Sequence, residues 1–146
     1  MSLSDLPPWA AALLDEVPVG HLGLLDEHTH PRVQPVTFVR LDDALWSAVD
    51  DKPKRRPGAE LARVRRLRER PQAALTVDRY DDDWTRLAWV QVLGRVAIVE
   101  SDARALAALA RRYPPYRDAP PRGPLLRLDP ARVLWWRATP PTSAPC

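Results

Sequence analysis

The chain of 146 residues has one cysteine, Cys146, and it is the last residue. An intramolecular disulfide is therefore excluded, and nothing argues for secretion. Glycine is scarce, at five residues. No G-x-G-x-x-G turn, P-loop, zinc-spaced Cys/His set or nucleophile elbow occurs. No apolar run approaches the roughly 20 residues that span a membrane as a helix. No basic region followed by an apolar one opens the chain, so no signal peptide is read. These absences point to a cytoplasmic protein without a membrane span. The length suits one domain, residues 1–146, with a real core. Residues 139–146, TPPTSAPC, read as a flexible tail.

Charge is present but unevenly placed. The net charge is +3. The stretch SAVDDKPKRRPGAELARVRRLRERP, Ser47 to Pro71, holds nine of the 22 Lys and Arg residues and both lysines. Between Lys52 and Arg70 only Glu60 and Glu69 oppose those nine cations, a surplus of seven, so the rest of the chain is about −4. Local basicity of this kind suggests a defined anionic partner. The DDKPKRRPG run reads as a Pro-braced turn before a helix, and a helix N-terminus suits a phosphate. On that helix Leu61, Val64 and Leu67 form a core-facing stripe. Arg68 falls inside the stripe and Arg65 at its edge, while Arg63, Arg66 and Arg70 point further away. A solvated basic face explains the same composition. A nucleic-acid contact is a weaker reading, because the cations occupy one short element and no nucleic-acid motif accompanies them.

Hydrophobic periodicity outlines the fold. A helix is predicted over Asp5–Glu16, capped by Ser4 or Asp5 and stopped by Pro18. GHLGLLDE and RVQPVTFVRL read as a hairpin of two strands around a His28–Pro31 turn, and ALWSAVD as a third strand. The basic helix ends near Arg70, since Pro71 disfavours helical geometry in its predecessor. QAALTVDRY is a fourth strand. RLAWVQVLGRVAIVE is a long fifth strand with a bulge or bend at Gly94. Ser101 or Asp102 caps a helix over ARALAALARRY. YRDAPPRGP is a loop. LLRLDPARVLWWRA is a last strand, or two short ones broken at Asp129-Pro130. Many strands with few helices favour a mainly β fold with some α, a small antiparallel barrel.

Several segments resemble one family. VGHLGLLDEHTHPRVQPVTFVR is similar to the opening hairpin of the pyridoxamine-phosphate-oxidase-like split β-barrel flavin and deazaflavin proteins. AVDDKPKRR, the basic helix, LTVDRYDDDWTRLAWVQVLGRV and VLWWRA resemble its actinobacterial subgroup, the F420-dependent PPOX-class oxidoreductases. The Lys-Pro-Lys turn and the Tyr-Asp-x-Asp-Trp segment are the most specific parts. The resemblance implies a six-stranded antiparallel split β-barrel with a few short helices. It implies a homodimer holding its cofactor in an interface groove. It implies hydride transfer between reduced coenzyme F420 and a small-molecule acceptor, with FMN as the alternative cofactor, or a carrier that binds cofactor without catalysis. Lys52, Lys54 and Arg55 would meet the cofactor phosphate, and Pro53 and Arg65 belong to the same cofactor-binding set. Gln34, Pro35 and Val36 would lie along the ring system. Ala48, Val49 and Asp50 would flank it, and Trp84, Trp89 and Gln91 would line the groove. Arg66 stands where the family pattern has Asn. That extra cation suits the phosphodiester and polyglutamate tail of F420 better than it suits FMN.

The remaining candidates have plainer readings. His28 and His30 read as exposed turn residues, not metal ligands. His21 reads as a hydrogen-bonded structural histidine. Asp81, Asp82 and Asp83 read as a solvated turn, or as salt links to arginine, ahead of a divalent-metal site. Of Trp135 and Trp136, one should face the core and one outward. No obligatory acid or base stands out, as expected where a cofactor performs the chemistry.

Overall fold

The computed structural model describes residues 1–49 and 61–139. Seven strands form one antiparallel sheet: β1 (Gly20–Leu25), β2 (Pro31–Val36), β3 (Val39–Leu41), β4 (Ala44–Ala48), β5 (Gln72–Arg79), β6 (Ala88–Val99) and β7 (Leu125–Arg137). Their order is β2-β1-β5-β6-β7-β4-β3. Four helices accompany them: α1 (Pro8–Glu16), α2 (Ala62–Glu69), α3 (Ala103–Arg112) and α4 (Pro115–Asp118). No described helix is long and apolar enough to cross a membrane.

The count of seven strands corrects the expected six. The predicted second strand breaks at Thr37–Phe38 into β2 and β3, which lie at opposite edges of the sheet. Three Cα steps separate Val36 from Val39, a reach of at most about 11 Å. The two edges must therefore approach each other, and the sheet curls although its ladder stays open. Phe38 sits at this seam, fully buried. Gly20 makes room for it: a Cβ there would lie 3.1 Å from the Phe38 ring and 3.0 Å from Leu75.

The inner face carries Leu22, Leu24, Leu75, Val77, Val90, Val92 and Val133, packed against Leu13 and Leu14 of α1 and Val64 and Leu67 of α2. A second cluster lies on the other side of β4, where Ala44, Trp46 and Ala48 meet Ala105 and Leu109 of α3. β4 is thus covered on both faces, and all five of its residues are buried.

Local chemistry explains where elements start and stop. The predicted helix Asp5–Glu16 is divided. A 3-10 turn at Leu3–Asp5, closed by a Ser2/Asp5 capping box, precedes α1. Pro7 and Pro8 supply no N–H, and residues before proline are pushed to extended geometry, so the turn cannot run on. Asp102 caps α3 by accepting from the Ala105 amide at 3.0 Å. The predicted loop after Tyr113 contains α4. β7 is continuous through Asp129-Pro130, with a register shift opposite Leu93/Gly94. Glycine is required there, because a Cβ on Gly94 would collide with the Asp129 carbonyl. The β1–β2 turn holds Thr29 at φ 60°, an unusual place for a β-branched residue.

The C-terminal end of α3 locks the seam. Arg112 donates to the carbonyls of Phe38 and Val17, and its guanidinium lies 4.6 Å from the Phe38 ring centroid. The Tyr113 phenol accepts from the Phe38 amide at 3.0 Å and lies 2.8 Å from the carbonyls of Phe38 and Pro18. Burial pushes its pKa up, so it stays a protonated donor. Replacing Arg112 by Met should cost about 2–4 kcal/mol in chemical denaturation, through lost charge-assisted bonds and a lost cation–π contact. Arg111→Met, at an exposed neighbour, should stay within about 0.5 kcal/mol of the parent.

Candidate functional site: an uncovered sheet face and the basic helix beside it

α1 and α2 pack on the inner face, so the outer face of β2-β1-β5-β6-β7 is left uncovered. Register places Pro35, His21, Thr76, Gln91 and Leu134 in one row across those five strands. At about 4.8 Å per strand the row is roughly 19 Å long. Gln91 donates to the Thr76 hydroxyl at 3.1 Å, and both side chains are half-buried. Toward one end of the face, Trp89 lies between Asp78 and Trp136. These tryptophans are 37% and 45% exposed. Toward the other end is an apolar hollow of about 620 Å³ lined by Gly23, Leu25, Pro31, Ala74 and Leu93 among others. That volume is ordinary for a small-molecule site. The face therefore combines apolar surface, a fixed amide and aromatic rings, which suits a planar heterocycle.

α2 lies on the inner face over β1 and β6, and its Arg63 reaches β2. Leu61, in extended geometry, precedes its first turn. Val64 and Leu67 are its buried residues and Leu61 packs against the same core, as the predicted stripe requires, while the arginines find partners that the stripe does not give. Arg68 is half-exposed beside Glu100. Arg63, expected to point away, instead donates twice to the Gln34 amide oxygen, at 3.0 and 2.8 Å. Arg66 is only 16% exposed and pairs with Glu27 at 3.1 Å. Arg65 is exposed and, with Glu27, Arg66 and Glu69, lines a polar hollow of about 300 Å³. Arg70 reaches the Asp26 carbonyl at 3.4 Å. The helix is thus tied to β2 and to the β1–β2 turn.

The predicted site residues do not all converge. Pro35, Trp89 and Gln91 share the outer face. The Gln34 side chain points to the opposite side, toward Arg63, and Val36 is buried in the core. Strand alternation forces this split, so three consecutive residues cannot all present side chains to one ring. Ala48 and Val49 are buried. Trp84 is 69% exposed in a 3-10 turn at Trp84–Arg86. Asp50, Lys52, Pro53, Lys54 and Arg55 lie outside the described residues, as do residues 140–146 of the predicted tail.

Four further outcomes concern single residues or pairs. His21, expected to be structural, is exposed on the outer face and makes no side-chain hydrogen bond among the described residues. With Thr76 and Trp136 it belongs to the face that sequence reasoning did not assemble. The row needed the β1–β5 pairing, a long-range contact that strand periodicity does not give. Trp135 lies opposite Val90, on the inner side, yet is 37% exposed, because the inner face is uncovered near the end of β7. The His28 and His30 rings are 6.3 Å apart in an exposed turn, and no metal-binding group occurs among the described residues. Asp81 pairs with Arg86 at 3.4 Å, and Asp83 caps the 3-10 turn through the Thr85 amide, in keeping with a turn role.

The β1–β2 turn is sensitive to acid. Asp26 is buried and accepts from the amides of His28 and His30, each at 2.9 Å. The His30 amide bond is the main cause that lowers its pKa to about 2. Glu27 is lowered as well, chiefly by the hydrogen bond from Arg66. Stability from such carboxylates is complete above their unfolded pKa, about 4, and is lost as pH falls through the folded value. The denaturation midpoint should drop between about pH 4 and pH 2. Asp26→Asn should flatten that part of the profile, and an unchanged slope would remove Asp26 from it.

Comparison with known proteins places this geometry. A family model described as pyridoxamine 5'-phosphate oxidase matches residues 6–137. No curated protein matches the chain. A conserved hypothetical protein from Mycobacterium tuberculosis superposes with a TM-score of 0.74 at 17% identity, covering 100% of this chain and 93% of that one. The heme storage protein HutZ from Vibrio cholerae gives 0.69 at 16%, covering 90% and 94%. An FAD-binding protein from Mycobacterium smegmatis gives 0.61 at 17%, covering 90% and 97%. At these identities the likeness is one of fold.

Proposed function

This chain belongs to the pyridoxamine 5'-phosphate oxidase family, and on that premise we propose that it is an F420-dependent oxidoreductase acting on a small organic acceptor. The observation that carries this reading is the uncovered outer face. Its polar row, Pro35–His21–Thr76–Gln91–Leu134, lies between an apolar hollow and the Trp89–Trp136 pair. The surplus of cations between Lys52 and Arg70 favours a strongly anionic cofactor, F420 over FMN. When bound, F420 supplies two-electron hydride chemistry, and the protein's part is binding, orientation and exclusion of water. Gln91, fixed by Thr76, would orient the ring. The cations of residues 52–55 would hold the phosphate.

A second reading, heme binding, is favoured by one residue. His21 stands exposed in the middle of the same face, with its ring nitrogens free of protein partners among the described residues. Imidazole is a common heme ligand.

Absorbance and fluorescence titrations of the purified protein with F420, FMN and hemin separate these readings. F420 should bind more tightly than FMN, and added salt should weaken it. Lys54→Ala and Gln91→Leu should each lose about tenfold in F420 affinity, the worth of one hydrogen bond to a charged or ordered partner. Arg111→Ala is the control. Arg63→Ala cannot serve, because Arg63 holds Gln34. Equal affinity for F420 and FMN without a salt response would overturn the F420 reading. A hemin Soret band that His21→Ala abolishes would establish the heme reading in its place.

The same face suits a second copy of the chain. Val33 is 65% exposed there at the end that holds Leu25, and Trp89 and Trp136 are part-exposed at the other end. Exposed apolar area of this kind marks an interface. Light scattering at micromolar concentration should give a dimer mass, and Trp136→Glu should give the monomer. A monomeric parent protein would remove the shared groove.

A further inference from the structure

A second polar cavity lies away from the outer face, where β5 ends and β7 leaves the sheet. It measures about 390 Å³ and is lined by Arg79, Thr85, Arg86, Leu87, Arg137 and Thr139, with Ala138 between the last two. Three guanidinium groups border it and no carboxylate does. Other arginines of the chain do meet acids: Arg40 meets Asp15, Arg66 meets Glu27, and Arg104 meets Asp42.

Two of the three arginines are held without using their charge. Arg79 donates through Nε to the Arg86 carbonyl at 3.1 Å. That bond fixes the plane of the group and leaves both terminal nitrogens unused. Arg137 lies over the Trp9 ring of α1, with its central carbon 5.0 Å from the ring centroid. A cation–π contact engages the flat face and leaves the N–H edge free. Among the described residues neither group meets a carboxylate. Arg86 is half-neutralised by Asp81 at 3.4 Å. The Thr85 hydroxyl already donates to Asp83, so it offers an acceptor but no proton.

Register explains why the pair is close. Arg79 lies opposite Ala88, and Ala88 lies opposite Arg137. The two arginines therefore flank a single methyl group, two strand spacings or about 10 Å apart at the backbone. Their long side chains can close that distance over a small ion. Fixed, unpaired guanidinium edges facing one cavity match the oxygens of a carboxylate or phosphate, which accept two parallel N–H bonds.

We infer that this cavity is a binding site for a small oxyanion, carboxylate or phosphate, held between Arg79 and Arg137. The site is independent of the cofactor reading, since none of its residues lies in that set and its test requires no cofactor.

Arginine-directed labelling of the full-length protein with phenylglyoxal, read by peptide mass spectrometry, tests it residue by residue. The probes are inorganic phosphate and L-glutamate, each against sodium chloride of equal ionic strength. Phosphate, glutamate or both should slow labelling of Arg79 and Arg137 and leave exposed Arg111 unchanged. Protection by phosphate alone assigns a phosphate ligand, and protection by glutamate alone or by both assigns a carboxylate-competent site. Arg79→Gln should raise the anion concentration for half-protection of Arg137 about tenfold. Equal labelling under all conditions, equal protection of Arg111, or the same protection by chloride would overturn the site.

Discussion

The two-residue step Thr37–Phe38 carries the chain from one edge of the sheet to the other, and the rest of the architecture depends on it. Four polar groups of that step are engaged. The Thr37 carbonyl accepts from buried Ser47, and its hydroxyl bonds to Tyr116 at 2.7 Å. Phe38 fills the core, and both of its backbone groups are held by Arg112 and Tyr113. Buried backbone polar groups outside a ladder are costly unless paired. Here a helix from the far end of the chain supplies the pairing, over a sequence separation of about 75 residues. Curling of the sheet and docking of α3 are therefore one event, not two.

That closure also decides which surface is available for function. Curling encloses α1 and α2 with the inner face, and α3 covers β4 from outside. The five strands from β2 to β7 keep an outer face that no described element covers. A face bearing Val33, Leu93, Trp89 and Trp136 would be expensive to leave fully in water. A planar ligand, a second chain or both together would lower that cost. The apolar hollow and the Gln91–Thr76 bond give the face specific features that a mere dimer surface does not require.

Much of the fold was legible in the sequence because its signals are local. Asp102 capping α3, Pro71 ending the basic helix and the bulge at Gly94 each rest on one or two residues whose chemistry allows few alternatives. The errors share another cause. Thr37 and Phe38 are good strand residues, and only contacts with Arg112, Tyr113, Tyr116 and Ser47 break the strand there. Helical-wheel reasoning did not give the partners of Arg63 and Arg68, because Gln34 and Glu100 lie about 30 residues away in sequence. His21 was read as structural since an apolar strand surrounds it, whereas strand pairing puts it on the open face. Tertiary partners decide such cases, and periodicity does not contain them.

The charge tally shows the same limit and its consequence. Nine cations between Lys52 and Arg70 suggest a uniformly basic helix. In the folded chain three of the five arginines from 63 to 70 face an acid: Arg66 meets Glu27, Arg70 neighbouring Glu69, and Arg68 Glu100 at long range. Arg63 is held by an amide. Paired charges are nearly silent beyond about 10 Å at ordinary salt. Among the described residues, the attraction that an anion would feel therefore rests less on α2 than on cations without an acid partner, such as Arg79 and Arg137. A net charge of only +3 can in this way coexist with a local cluster of cations such as Arg79, Arg86 and Arg137.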